Sequence, residues 1–185
     1  MLPSLAQQTE QMRLLRRRFP QAAIVGTVYH GTDKPPSLVL EQGLPPTGGD
    51  SFDLAVHQRQ FERPGQAAEE RSAMRGSSLN AYVPAGFAGT GSYVYRLVPV
   101  GGGVEVNTAL GHKRVNIIEG RIEGSLMPGE QEIAIGSQQP ACQIEGYHVV
   151  GAYHESSGQY RLGPFIPNPR FKPGAWESKV VYPPE

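Results

Sequence analysis

Glycine and proline recur so often after Pro20 that long helices have no room there. The 23 Gly and 17 Pro residues of the 185-residue chain break every later segment within about a dozen residues, the pattern of short strands joined by turns. Only the segment before Pro20 escapes. Residues 4 to 18, SLAQQTEQMRLLRRR, hold neither residue and set Leu5, Met12 and Leu15 near one helical face, which predicts a helix. It ends in Arg13, Arg16, Arg17 and Arg18, which serve either as cations on the last turn's dipole or as an anchor for an anionic surface.

IVGTVYH at 24 to 30 reads as a strand, and SLVLEQGL after Pro35-Pro36 as a short helix stopped by Gly43. Residues 45 to 66 read as a long surface loop, and QAAEERSAM at 66 to 74 as a weak helix. SYVYRLVPV, VEVN, EQEIAIG, QIEGYHVVGAY and GQYRLG follow as strands, with Gly101-Gly102-Gly103 as a hairpin turn. The tail from Pro167 is expected to run extended along the surface. Helices first and strands later predict an α+β fold with antiparallel sheets. With no internal repeat and no second linker, residues 1–20 read as an N-terminal helical extension and 21–185 as a single domain.

Several function classes drop out on composition. Seventeen basic side chains balance seventeen acidic ones, so no global field draws the chain to nucleic acid or an anionic membrane. Cys142 stands alone, which excludes an internal disulfide. No apolar run reaches the length of a membrane span, and no short apolar core follows an N-terminal charge as in a signal peptide. The histidines at 30, 57, 112, 148 and 154 lack metal-ligand spacing, with His148 and His154 read across a turn, so no metal is expected. Cys142 reads as a small buried hydrophobe.

The segment PGEQEIAIG carries the chemistry. Glu130 and Glu132 stand two apart at the start of a strand, and a period of two sends both carboxylates to one face. Two like charges so close raise each other's proton affinity, an arrangement suited to acid/base work or to stabilising a cation.

Three stretches, VYHGTDKPPSLVLEQGL, GSSLNAYVPAGFAGTGSYVYRL and PGEQEIAIGSQQPACQIEGYHVV, resemble in order the catalytic chains of the mono-ADP-ribosyltransferase toxin family that includes cholera toxin, heat-labile enterotoxin and pertussis toxin. Together they cover roughly residues 25 to 150. The resemblance implies a split β-sandwich of two antiparallel sheets with short helices around a cleft for NAD, which is a substrate here. By carry-over, Glu132 bonds the 2′-hydroxyl of the nicotinamide ribose and stabilises the oxocarbenium-like transition state, while Glu130 orients the acceptor.

The family's opening arginine is replaced by His30. Tyr29-His30-Gly31-Thr32 is similar instead to the opening of the diphtheria-toxin class, where the histidine holds the nicotinamide ribose and the next glycine meets the nicotinamide amide. By that likeness His30, Gly31 and Thr32 bind NAD, and Lys34 or an arginine from the 59 to 75 region supplies the charge for its diphosphate. The alternative makes His30 a structural residue closing a strand. The family's Ser-Thr-Ser aligns with Pro84-Ala85-Gly86 when Tyr82-Val83 is matched, and with Ser77 and Ser78 only if the register slips. Tyr82 or Phe87 provides a stacking face for nicotinamide, or both are core residues.

The expected activity is mono-ADP-ribosylation of a protein in a host or competitor cell, with NAD glycohydrolysis as a side activity. The acceptor is an arginine by the resemblance, with a Ser/Thr hydroxyl or a nucleic-acid group as alternatives. The competing reading is a pseudoenzyme that keeps the fold to bind a partner. A monomer without a membrane span is expected, secreted by a signal-peptide-independent route and acting in the target-cell cytosol.

Overall fold

The chain moves between two antiparallel sheets, and two of the crossings, at Gly26 and at Gly101-Gly102, are made at glycine. The structure, a computed structural model, describes residues 1–58, 67, 71–111, 116–118, 121–123 and 132–174, with 116–118 and 121–123 described by backbone alone. β1 (Ala23–Ile24) lies in one sheet and β2 (Val28–Thr32) in the other. The single strand expected over 24–30 is broken at Gly26, whose φ of 126° suits a residue without a Cβ. Gly101 and Gly102, with φ of 78° and 69°, carry the chain back from β4 (Tyr93–Leu97) to β5 (Gly103–Glu105). The triple glycine is therefore a passage between sheets, not the hairpin expected from sequence.

The four-stranded sheet runs β1-β5-β8-β3, where β3 is Met74–Ser77 and β8 is Ile133–Gly136. The five-stranded sheet runs β10-β9-β4-β2, with β9 at Ile144–His154, β10 at Gln159–Leu162, and β11 (Ile166–Pro167) also on β9. His148 and His154 share β9, so no turn separates them. β6 (Asn116–Ile118) and β7 (Arg121–Glu123) pair antiparallel as a two-stranded sheet of their own.

Alternation along the strands sorts side chains into three apolar clusters. Between the sheets, Val28, Tyr95, Leu97 and Ile144 of the larger sheet meet Ile133 and Ile135 of the smaller one. α2 (Pro36–Gln42) closes this cluster with Val39 and ends at Gly43, φ 78°, as the sequence predicts. On the far side of the smaller sheet, Met74, Val104 and Ala134 pack with Met12 of α1 (Leu5–Arg18) and Leu54 of α3 (Leu54–Gln58). On the far side of the larger sheet, Val94 and Val150 pack with Ala85 of α4 (Tyr82–Ala88).

α1 matches the predicted helix. Ser4 begins it with a reciprocal cap, accepting from the Gln7 N–H while the Gln7 side chain accepts from the Ser4 N–H. Its Gln8 side chain exchanges two hydrogen bonds with the backbone of Gln138, and Met12 is fully buried. Truncating Met12 to Ala should cost about 2 to 5 kcal/mol, read as a lower urea midpoint at unchanged slope.

Other expectations need correction. The 45–66 loop contains α3, capped by the Asp53 side chain on the Ala55 N–H. The helix expected at 66–74 is absent at its described end. Arg71–Ala73 run beside Ser51, with Ser51 N–H to Arg71 O at 3.1 Å and Ala73 N–H to Ser51 O at 2.8 Å, and Met74 opens β3. Non-local pairing overrides a weak helical preference there. VEVN is strand only through Glu105 and turns into α5 (Val106–Ala109). The tail is described only as far as residue 174.

Candidate functional site

On the described chain one backbone bridge joins the edges of the two sheets. Tyr29 of β2 and Ser78, just past β3, exchange backbone hydrogen bonds of 2.8 and 2.9 Å, and away from this bridge the strands belong to different sheets. Ser77 pairs with Ile133 at the start of β8, so Glu132 arrives at the same junction from the other side of the ladder. His30 lies one residue from the bridge on β2.

Glu132 is fixed at both backbone and side chain. Its carbonyl accepts from the Val106 N–H at 2.9 Å, where β5 gives way to α5. Its Oε1 accepts from His57 Nε2 at 3.0 Å, and His57 Nδ1 lies 2.9 Å from Ser72 Oγ. The Met74 N–H donates to that same Ser72 oxygen at 3.0 Å. A carboxylate only accepts, so His57 carries a proton on Nε2, and with the ring neutral the Ser72 hydroxyl donates to Nδ1. The result is a relay from backbone N–H through Ser72 and His57 to the carboxylate. The His57 side chain is 3% exposed and that of Glu132 21%, so a buried imidazole sits behind a carboxylate that remains reachable.

The sequence reading missed this role of His57, having tested that histidine only as a metal ligand. A signal was present. Asp53 caps a turn in which Leu54 and His57, three apart, share a buried face.

His30 and Arg75 meet inside the fork. His30 Nδ1 lies 2.7 Å from Gly76 O, and Arg75 Nη1 lies 3.1 Å from His30 Nε2. Carbonyl and guanidinium together require a neutral ring with its proton on Nδ1. The imidazole's pKa is pushed down to about 3, first by burial and then by the Arg75 charge, with the Gly76 carbonyl opposing.

This fixes the sign of a pH effect. Between about 3 and the unfolded value of about 6.5 the unfolded chain binds a proton that the folded chain refuses. Stability from this group is therefore complete above about 6.5 and is lost as pH falls toward 3, by on the order of a few kcal/mol. The urea midpoint of the wild type should drop more between pH 7.5 and 4.5 than that of His30→Gln. Equal drops would contradict the assignment.

The other expected site residues are placed as follows. Gly31 packs directly under α4, where an added Cβ would collide with the Pro84 carbonyl. Thr32 Oγ1 accepts from the Lys34 N–H at 3.3 Å, and the Lys34 carbonyl accepts from the Tyr95 hydroxyl at 2.7 Å. Tyr82 and Phe87 on α4 are 45% and 67% exposed, which excludes the core alternative for both. Pro84-Ala85-Gly86 forms part of α4, and Ser77 stands at the end of β3. Ser77 Oγ donates to Ile133 O at 2.8 Å. Glu130 lies outside the described residues.

A groove of about 370 Å³ between α2 and residues 168–170 is lined by none of the expected site residues. Among the described residues no group of three or more His, Cys, Asp or Glu could hold a metal ion, and no helix is long and apolar enough to cross a membrane.

Comparison with solved structures gives one consistent answer. Scabin toxin from Streptomyces scabies, solved in complex with NADH, superposes with a TM-score of 0.55 at 18% identity, over 86% of this chain and 85% of that one. The chain shares Scabin's fold. A single-site variant of Scabin aligns with a TM-score of 0.57 at 17% identity, over 85% of each chain. EcPltA aligns with a TM-score of 0.55 at 18% identity, over 81% of this chain and 89% of that one. As in Scabin, two antiparallel sheets with a few short helices make an α+β fold. No protein-family model and no curated protein matches the sequence.

Proposed function

We propose that this chain is a mono-ADP-ribosyltransferase, an effector that transfers ADP-ribose from NAD to a protein of another cell, acting in that cell's cytosol. The observation that carries the reading is the held carboxylate: Glu132, at the junction of the sheets, is bonded to a buried histidine that is itself bonded to Ser72. Cleavage of the nicotinamide glycosidic bond builds positive charge on the ribose, and an anion already oriented there lowers the barrier without reorganising. His57 is a positioning residue, keeping Glu132 Oε1 turned toward the junction.

The shared fold with Scabin, which was solved holding NADH, supports NAD as the substrate. Exposed Tyr82 and Phe87 on α4 supply aromatic surface for the nicotinamide ring, and Gly31 lets that helix approach β2. By the toxin resemblance Glu130 orients the acceptor. An arginine acceptor follows from the same resemblance, and NAD hydrolysis is the side reaction when water replaces it.

Incubation with labelled NAD and lysates from several cell types tests this. Label transferred to a protein together with released nicotinamide is expected. A folded protein that releases no nicotinamide and labels nothing would overturn the reading. It would then favour the pseudoenzyme, for which one observation speaks: the Nε2 lone pair of His30 is already taken by Arg75.

A further inference from the structure

Arg75 takes no part in the reading above, yet it is an unusual group. Its guanidinium is mostly buried, which pushes its pKa down to about 10 and leaves it charged at neutral pH. Three of its N–H groups are used: Nε donates to Ser137 O at 3.0 Å, Nη2 to Pro45 O at 2.6 Å, and Nη1 to His30 Nε2 at 3.1 Å. All three acceptors are neutral. Among the described residues no carboxylate forms an ion pair with it. Burying a cation is costly unless an anion answers it, and a guanidinium has five N–H groups, so one remains on each Nη.

Its location narrows the choice of anion. Arg75 alternates with Met74, which faces the outer cluster, so its side chain points between the sheets, as His30 does opposite Tyr29. The pair thus occupies the fork where β2 and β3 part. His30 gives its proton to the Gly76 carbonyl and its lone pair to Arg75, so neither ring nitrogen is left to bond a sugar.

We propose that Arg75 is the anion-binding residue of the cleft, gripping a diphosphate through its two remaining N–H groups, and that His30 is its positioning residue. This rests on the NAD reading for the identity of the ligand, though not for the anion site itself. Lys34, half-exposed on the turn after β2, is then not needed for the diphosphate. A planar fork fixed at three corners suits paired phosphate oxygens better than a mobile ammonium does.

Calorimetric titration with inorganic pyrophosphate and with ADP-ribose, alongside ¹⁵N spectra of the arginine side chains, tests the proposal. Both compounds should bind the wild type and shift the Arg75 Nε resonance. Arg75→Ala should weaken both by at least about 10- to 100-fold, the worth of one of the two hydrogen bonds to a charged group that it removes. If that variant does not fold, Arg75→Lys is read instead and should also bind both more weakly than the wild type. His30→Gln keeps an acceptor for Arg75 and a donor for Gly76, so it should stay within about threefold of wild type, whereas His30→Leu should lose about tenfold or more.

ADP-ribose binding with no shift at Arg75, or at full strength in a folded Arg75 variant, would overturn the proposal and leave the NAD reading standing. Arg75-dependent pyrophosphate binding without ADP-ribose binding would uphold the anion site and overturn the NAD reading. A wild type that binds neither compound would overturn both.

Discussion

Glu132→Gln should slow nicotinamide release from NAD by about 10²- to 10³-fold while changing KM for NAD by only a few-fold. The amide has almost the shape of the carboxylate, and its oxygen still accepts from His57 Nε2, so the relay and the fold are retained. Only the negative charge is removed. That charge interacts weakly with a neutral ribose and strongly with one approaching an oxocarbenium ion, so the loss belongs to the transition state and appears in kcat. A variant with equal kcat would show that the carboxylate is a structural acceptor for His57 and nothing more. Thermal melting of both proteins would establish that the comparison is between folded enzymes.

His57→Ala carries the second large effect. Removing the imidazole takes away the donor that fixes Glu132 Oε1 and leaves the partly buried Ser72 hydroxyl without the acceptor it now serves. Misplacing a reacting group by about an ångström can cost about 10²-fold, so kcat should fall by about 10- to 100-fold with KM for NAD little altered. Stability should fall as well, by about 1 to 3 kcal/mol, because a polar group shielded from water is left unsatisfied. His57→Gln, which offers a donor to the carboxylate, should recover part of kcat. A purely structural His57 would give the opposite pattern: lower stability with kcat unchanged once the folded fraction is counted.

What could be read from the sequence followed the range of the interactions involved. Gly43 as a helix stop, the strands around Tyr95 and Ile133, and the uninterrupted helix to Arg18 are set by local chemistry, and all are present in the structure. The short helices α3 and α5 escaped because helices of that length depend on a cap and on packing more than on propensity. Residues 71–73 were misread because their pairing with Ser51 crosses a long stretch of sequence.

The site divides in the same way. Glu132 declared itself through the spacing of Glu130 and Glu132 and the β-prone residues that follow. His57 lies 75 positions before its carboxylate partner, and Arg75 lies 45 after His30, so neither pairing leaves a local trace. The sequence reading did ask for Lys34 or an arginine between 59 and 75 to answer the loss at position 30. The strand register shows why Arg75 in particular reaches His30: Tyr29 is bridged to Ser78, which brings the next residue of β2 against the preceding residues of β3. Tyr82 and Phe87 could not be told from core residues until α4 turned their side chains outward.

A structure of the protein with NAD bound would decide the role of Glu132. A Glu132 carboxylate oxygen is expected within hydrogen-bonding distance of the 2′-hydroxyl on the nicotinamide ribose, with His57 still bonded behind it. A dinucleotide bound elsewhere, with Glu132 making no contact to it, would contradict that role.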